Sequence, residues 1–520
     1  MIDTIDPRIP YSQSSFFLDY IAGKDSASHC FQHSLASIDR LAQERTRVPS
    51  PQARNKLCDV LLNYNCKLNA PAKAIANIER LRAPEALCVI GGQQAEFLGG
   101  PLFVLYKIAT IIQTAAWMSD HLSVPVVPVF WSASEDHDFA EINHTRWIDE
   151  SDTLRTISFD WDGQGKPIEQ LPITDAVRRA FEEACQKIPF SSLDTAALFA
   201  PEPNDDYSTW HARMWSRAFA DHGLIMVEPR VLRPLATSFF ARVLTDQGAI
   251  QEGLADGAER LQSHGYPVLL DPAKSGSLFT INAEGFRLRV EPTSSGDSAD
   301  SALTYSTDAA LRPLLADSLF PSIANILGPS EIAYHAMLRP LYEHWQVPQP
   351  LAIPRKGATL IPSKGLKQLA DFGVLPSKAV EPSFKPSDVV KAAASDTLSS
   401  EFANAKGQLE EALIPLKETL SQLDPGLEVR WRQTVDQAQH QLDRLEDRAI
   451  RADLARRGLS VKNLQALKPL LHPMEKPQER ILSGFSIIAK YGVEWIHDII
   501  FSGEPSRFEH QLIVLKEPHE

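Results

Sequence analysis

Cysteine is scarce here. The 520-residue chain has five, at Cys30, Cys58, Cys66, Cys88 and Cys185. They are odd in number and form no CxxC pair, which argues against a disulfide framework or a structural zinc site and for a reducing, cytoplasmic setting. Positive charge is also in short supply: 52 Lys and Arg face 66 Asp and Glu, and the formal net charge of -14 offers no general attraction to nucleic acid or to an anionic membrane surface. No basic segment followed by an apolar one opens the chain, so no export signal is expected. The longest apolar stretch, near residues 101–118, is interrupted by Lys107, which argues against a membrane span. No internal repeat is found.

What is present is globular. Hydrophobic residues make up 43% and charged residues 23%, and at about 100–200 residues per domain the length predicts two to four units. Residues 16–83 carry helical periodicity broken by prolines. Then the pattern changes to alternation: ALCVIGG as a buried strand, an apolar helix over 101–121, and VPVVPVFW (124–131) as a second buried strand. Residues 150–210 read as an insertion with short strands and a helix near 175–187. A second α/β stretch follows, with GLIMVEP (223–229) as a strand, a helix over 232–264, hairpin strands at 277–291 and a turn-forming segment at 294–302. From about 385 the pattern becomes a heptad seam. Phe402, Leu409, Leu416 and Leu423 recur every seven residues, and after the turn at 424–426 Trp431, Val435, Ala438, Leu442, Leu445, Ala449 and Ala452 continue at spacings of four and three. Pro415 predicts a kink in the first arm or two shorter helices.

Three stretches carry candidate chemistry. In GGQQAEFLGGPLFVLYK (91–107) a strand ends in Gly91-Gly92 and a helix begins near Gly100-Pro101, where backbone amides and a helix N-terminus favour an anion. The pattern is neither a dinucleotide fingerprint nor a phosphate-loop motif, so a tight turn without a ligand fits equally well. Gln93 and Gln94 are uncharged donors and acceptors at a strand's carboxyl end, where open α/β sheets bind ligands. Lys107 is either a phosphate contact or a surface lysine. The second stretch, WSASEDHDFAEINH (131–144), gathers Glu135, Asp136, His137, Asp138, Glu141, Asn143 and His144. A histidine flanked by carboxylates suits acid/base work or binding of an amine, although acids at a helix start also simply offset its dipole. The third, ILGPSEIAYHAMLRPLYEHW (326–345), sets Glu331, Tyr334 and His335 on one helical face. Beyond it Arg355 and Lys356 follow a predicted strand, placed to meet an anion.

In order and spacing, GGQQAEFLGGPLFVLYK, VPVVPVFWSASEDHDFAEINH, LGPSEIAYHAMLRPLYEHW, PLAIPRKGATLI and QERILSGFSIIAKYGVEWI resemble the cysteine ligase (cysteine-adding) family of bacterial bacillithiol biosynthesis, over nearly the whole chain. That resemblance implies an α/β fold: a Rossmann-type nucleotide-binding core akin to class I aminoacyl-tRNA synthetases, with connecting-peptide insertions, plus an α-helical coiled-coil domain that dimerises. The expected division is 1–384 as the core, with insertions at about 150–210 and 265–310, 385–472 as the antiparallel coiled coil, and 473–520 packing back on the core. The implied reaction joins the carboxyl of L-cysteine to the amine of glucosaminyl malate, with ATP and magnesium supplying activation, no zinc, and no nucleic-acid or membrane partner. Within the matching blocks, Asp136, His137 and Asp138 are expected to be catalytic. Gln93, Gln94, Asn143, His144, Glu331, Tyr334 and Arg355 are expected to bind substrate, and Gly91, Gly92, Gly100 and Lys107 nucleotide. Two departures stand out: the family's Thr-Gly-Gln-Gln is Gly91-Gly92-Gln93-Gln94 here, and its threonine before Gly-Pro is Gly99. The synthetase HIGH signature is absent. The alternatives are a nucleotidyltransferase acting on another small acid and a non-catalytic coiled-coil scaffold.

Overall fold

The computed structural model describes residues 2–11, 14–188, 193–290, 301–493 and 508–516. The turn-forming segment expected at 294–302 lies, up to residue 300, outside them. The chain divides into two compact units, one built from residues 1–359 with 476–513, the other from 360–475.

The first unit is organised on a five-stranded parallel sheet. Its strands are β1 (Leu87–Gln93), β2 (Val126–Ser132), β3 (Ile225–Val227), β4 (Ser322–Leu327) and β5 (Leu351–Pro354), in the spatial order β5-β4-β1-β2-β3. The apolar runs in the sequence are the reason. β2 is buried along its length, β4 likewise, and β1 until its last two residues, as expected of strands covered on both faces. The chain travels outward from β1 through β2 to β3, then returns to lay β4 and β5 on the other side of β1. The strand order therefore reverses beside β1, and the carboxyl ends of β1 and β4 diverge there, which is where open α/β sheets leave a crevice.

Helices α1 (Pro51–Lys67) and α2 (Ala72–Leu81) form the lead-in. Helix α3 (Leu102–Leu122) connects β1 to β2. α3 is apolar on nearly every face and long enough to cross a membrane, yet 78% of its most apolar window is buried inside the protein, so it is a core helix. The helix expected over 232–264 is interrupted. It runs as Thr237–Thr245 and Gln247–Ser263, with Asp246 in a non-helical conformation between them and its carboxylate accepting from Arg242 Nε at 3.1 Å. The insertion at 150–210 contributes Leu154–Ser158, paired antiparallel with His144–Ile148, and the helix Asp175–Lys187.

The second unit contains the helical hairpin α5 (Asp396–Leu423) and α6 (Gly426–Arg456). α5 does not divide at Pro415 but continues through it, and close to the proline the Leu413 carbonyl accepts from Trp431 Nε1 of the facing arm at 2.9 Å. Ion pairs from Lys406 to Asp443 (2.6 Å) and from Lys417 to Glu428 (3.1 Å) join the arms. Leu416, Leu423 and Leu445 of the seam are 48%, 74% and 55% exposed, so the hairpin leaves part of its apolar repeat uncovered.

Candidate functional site

A cavity of about 480 Å³ lies at the carboxyl end of the sheet. It is lined by Gly91 to Gln93 from β1 and Gln94 just past it, by Trp131 and Ala133 at the end of β2, by Asn325 and Leu327 from β4, and by Asp136, Glu141, Arg312, Glu331, Tyr334 and His335. Its position is the reversal of strand order beside β1, so both halves of the sheet contribute a wall. The Gln-Gln turn and the Asp136 loop meet directly: Gln94 Nε2 donates to Asp136 Oδ2 at 2.9 Å. The backbone N–H of His137 donates to Asp136 Oδ1 at 2.7 Å. Burial alone would raise the Asp136 pKa, but Arg312, the Gln94 amide, Arg287 and the His137 N–H together bring it below the usual carboxylate range. Asp136 is held ionised at the cavity wall. Glu141 nearby shifts the other way, pushed up by burial and by the negative charges of Asp138 and Asp136.

Lys107 is not a surface lysine. Its side chain is 1% exposed. From α3 its ammonium reaches back to the Gly92 carbonyl (2.7 Å), Gln93 Oε1 (3.2 Å) and both oxygens of Glu331 (2.9 and 2.7 Å). Glu331 also accepts from the backbone N–H of Gly328 at 2.6 Å, which closes the start of helix α4 (Pro329–His335). Burial pushes the Lys107 pKa down. Glu331 would be pushed up by its own burial, but Lys107 and the Gly328 N–H carry it below its ordinary value. The pair is therefore an ionised clamp that ties the end of β1 to α4, and its ammonium is spent on protein atoms. His335, beside Tyr334, is lowered to about 4 by burial and is neutral at physiological pH.

The turn expected to cradle phosphate is closed by its own chain. The amides of Gly99 and Gly100 donate to the carbonyls of Glu96 and Phe97, and the Leu102 amide at the start of α3 donates to the Leu482 carbonyl at 2.8 Å. Gly100 lies against the Glu96 side chain and outside the cavity lining. The two missing threonine hydroxyls have a packing reason. A Cβ on Gly91 would stand 2.9 Å from Ile111 Cδ1 and 3.1 Å from the Ile326 carbonyl. Gly99 has φ of +81°, disfavoured for a β-branched residue, and a Cβ there would stand 2.6 Å from Trp215 Cζ2. Ile111 and Trp215 occupy those spaces in this chain.

Of the remaining expected residues, His137 and Asp138 are exposed and do not line the cavity. The short helix Phe139–Ile142 begins directly after them, and its Glu141 is again part of the cavity lining. His137 Nδ1 lies 3.2 Å from Arg287 Nη1. Since guanidinium only donates, Nδ1 is the acceptor in that contact. Asn143 donates to the Phe159 carbonyl (3.3 Å), and its Oδ1 meets His144 Nδ1 (3.2 Å) at the edge of the insertion hairpin, away from the cavity lining. Arg355 is buried in a two-point ion pair with Glu479 (2.7 and 3.1 Å) and is not part of the cavity lining. Among the described residues no group of three or more His, Cys, Asp or Glu is arranged to hold a metal ion.

Sequence reasoning missed Arg312, Arg287 and Asn325, and it noted Glu135 only as one acid of the 131–144 cluster. Glu135, 1% exposed, accepts from Arg312 Nε at 3.0 Å and from Thr307 Oγ1 at 3.2 Å. Arg287 stacks on Phe279 at 4.2 Å and donates to the Thr307 carbonyl at 2.7 Å. Asn325 donates to Asp317 Oδ2 at 3.0 Å. Two of them had a legible signal: one arginine on the apolar helix Leu311–Leu319, and one asparagine inside the apolar strand SIANIL.

Comparison with known proteins bears on what such a cavity does. The family model described as the BshC N-terminal Rossmann-like domain of bacillithiol biosynthesis matches residues 6–356, and the one described as the BshC C-terminal coiled-coil domain matches 358–515. A Geobacillus thermodenitrificans protein is 28% identical over 529 residues, covering 96% of this chain and 97% of the relative. A Bacillus cytotoxicus protein is 27% identical over 530 residues, with 96% and 97% covered. A Koribacter versatilis protein is 26% identical over 529, with 97% and 98% covered. All three carry the name "Putative cysteine ligase BshC".

Proposed function

Because the chain belongs to the BshC family of bacillithiol biosynthesis, we propose that it is a cysteine ligase that joins the carboxyl group of L-cysteine to the amine of glucosaminyl malate. What supports this reading is the Gln94–Asp136 pair at the reversal point of the sheet. Forming an amide from a free carboxylate needs activation, for which ATP with magnesium is the proposed source. The attacking amine must also be neutral at the moment of attack. Asp136 is held ionised at the cavity wall, able to pair with an ammonium group and, against the cost its lowered pKa imposes, to take its proton, while Gln94 fixes the carboxylate's orientation. The chain acts, in this proposal, as a cytoplasmic homodimer joined through the α5–α6 hairpin.

The test is to incubate purified protein with ATP, magnesium, L-cysteine and glucosaminyl malate and to follow the thiol product by chromatography. Product should form, and Asp136→Asn should slow it by about 10²- to 10⁴-fold, the usual range for a lost general base. Exchange of pyrophosphate driven by an acid other than cysteine would instead favour a nucleotidyltransferase. Folded protein that forms no amide under these conditions would refute the ligase reading.

A further inference from the structure

Among the described residues lining the cavity, Arg312 supplies the one cation whose donors are not already committed. Lys107 is locked to Glu331 and His335 is neutral. Arg312 donates through Nε to Glu135 Oε1, and neither of its Nη groups has a partner among the described residues. Its side chain remains 24% exposed, whereas Glu135, which anchors it, is 1% exposed and is itself held by Thr307 Oγ1. A guanidinium fixed by its Nε edge presents the two Nη groups as a rigid fork, the geometry that suits a planar two-oxygen acceptor. The Tyr334 hydroxyl lines the same cavity, also without a hydrogen-bond partner among the described residues. The other charges at the wall are negative: Asp136, Glu141 and Glu331. The cavity therefore has a polarity, with acceptors for an amine along the Asp136 wall and unused donors at Arg312.

We infer that Arg312 is the carboxylate-recognising residue of this cleft. Its free Nη edge meets a carboxylate of a small-acid substrate, Tyr334 offers a further donor, and Glu135 is the positioning residue that holds the fork. The substrate identities rest on the ligase reading, in which both cysteine and the malyl group carry carboxylates, and the recognition chemistry is the same for either.

Calorimetric titration of the full chain with L-malate, L-cysteine and their carboxamides tests this without requiring turnover. Wild type should bind at least one carboxylate probe, and whichever weakens on substitution names the source. Arg312→Gln should weaken that probe by about 10- to 100-fold, as expected for loss of a partly desolvated charge-assisted pair. Arg312→Lys should fall between, because it keeps the charge and loses the fork. The carboxamides should bind wild type and Arg312→Gln with equal weakness, a pattern that a merely structural role would not produce. Matching melting curves would establish that the variants are folded. If they are not, the wild-type comparison of carboxylate with carboxamide decides alone. Undiminished carboxylate binding by Arg312→Gln, equal binding of acid and amide by wild type, or no binding of either acid at millimolar concentration would each overturn the inference. The ligase reading fails separately, if Arg312-dependent binding is present but no amide product forms.

Discussion

Replacing Lys107 with methionine removes four contacts at once: the two to Glu331 at 2.7 and 2.9 Å, and those to the Gly92 carbonyl and Gln93 Oε1. The methionine fills much of the lysine stem's volume, so the cost is chiefly electrostatic. Breaking a buried pair by removing one partner typically costs about 3–5 kcal/mol. Glu331 keeps 26% exposure and its Gly328 N–H bond, so water and the helix start recover part of that, and about 2–3 kcal/mol is expected here. The sign of the pH dependence is fixed. In wild type the folded pKa of Glu331 is depressed, so its contribution is present above the unfolded pKa and is lost as pH falls through the folded one. In Lys107→Met burial, the Gly328 N–H and, once it protonates near pH 4, His335 are what act on Glu331; with the ammonium gone its folded pKa rises, and the gap between wild type and variant should narrow as pH is lowered from 7 toward 4. Lys107→Met/Glu331→Gln should recover much of the loss, since no uncompensated charge remains. Scanning calorimetry of the three proteins at pH 7 and pH 4.5 reads all of this. A double variant no more stable than the single, or a gap that widens in acid, would refute the clamp.

Three further expectations follow from the same geometry. Burial and the neighbouring Glu141 raise the Glu96 pKa to about 8; a raised acid stabilises below its unfolded pKa and loses that contribution as pH rises through about 8, so Glu96→Gln should gain on wild type between pH 5 and 8.5. The gain should be on the order of 1–3 kcal/mol, and parallel stability curves in urea would exclude it. Arg355→Met should lower stability by about 3–5 kcal/mol while leaving each substrate's KM within a few-fold, because Arg355 is spent on Glu479; a large KM increase with an unchanged melt would show a ligand contact instead. Sedimentation equilibrium at micromolar concentration should report about twice the 57.7 kDa chain mass, and Leu416→Glu with Leu445→Glu, both substituting exposed seam positions, should give monomers that keep the melting transition of the first unit.

How much of this was legible in the sequence depends on whether a feature is written in pattern or in distance. The strands announced themselves because both their faces are buried, and a run such as CVIGG or VPVVPVFW has few other soluble solutions. The hairpin announced itself through its heptads. Of the two outcomes a helix-interior proline predicts, a kink or a division, the division at Pro415 does not occur: α5 continues through it.

At the site, sequence grouped residues by proximity along the chain, and the fold kept only some of each group. From SEDHDF it kept Asp136 at the cavity and left His137 and Asp138 exposed, directly before the helix Phe139–Ile142. From the glycine-rich turn it kept Gly91 to Gln94 and closed the rest with the carbonyls of Glu96, Phe97 and Leu482, the last of them hundreds of residues distant. Lys107 and Arg355 were read as free cations because their partners, Glu331 and Glu479, lie more than a hundred residues away in sequence. Arg312 was missed for the complementary reason: it stands in an otherwise apolar helix, and only the fold sets it against its Glu135 partner and places it on the cavity that the end of β1 also lines. A cation's availability for a ligand is a property of what else it touches, and in an α/β fold those contacts are made across crossovers. The residues to trust from sequence alone are thus the ones at strand ends, whose location the topology fixes. For charged residues on the helices, the partner must be found before a role is assigned.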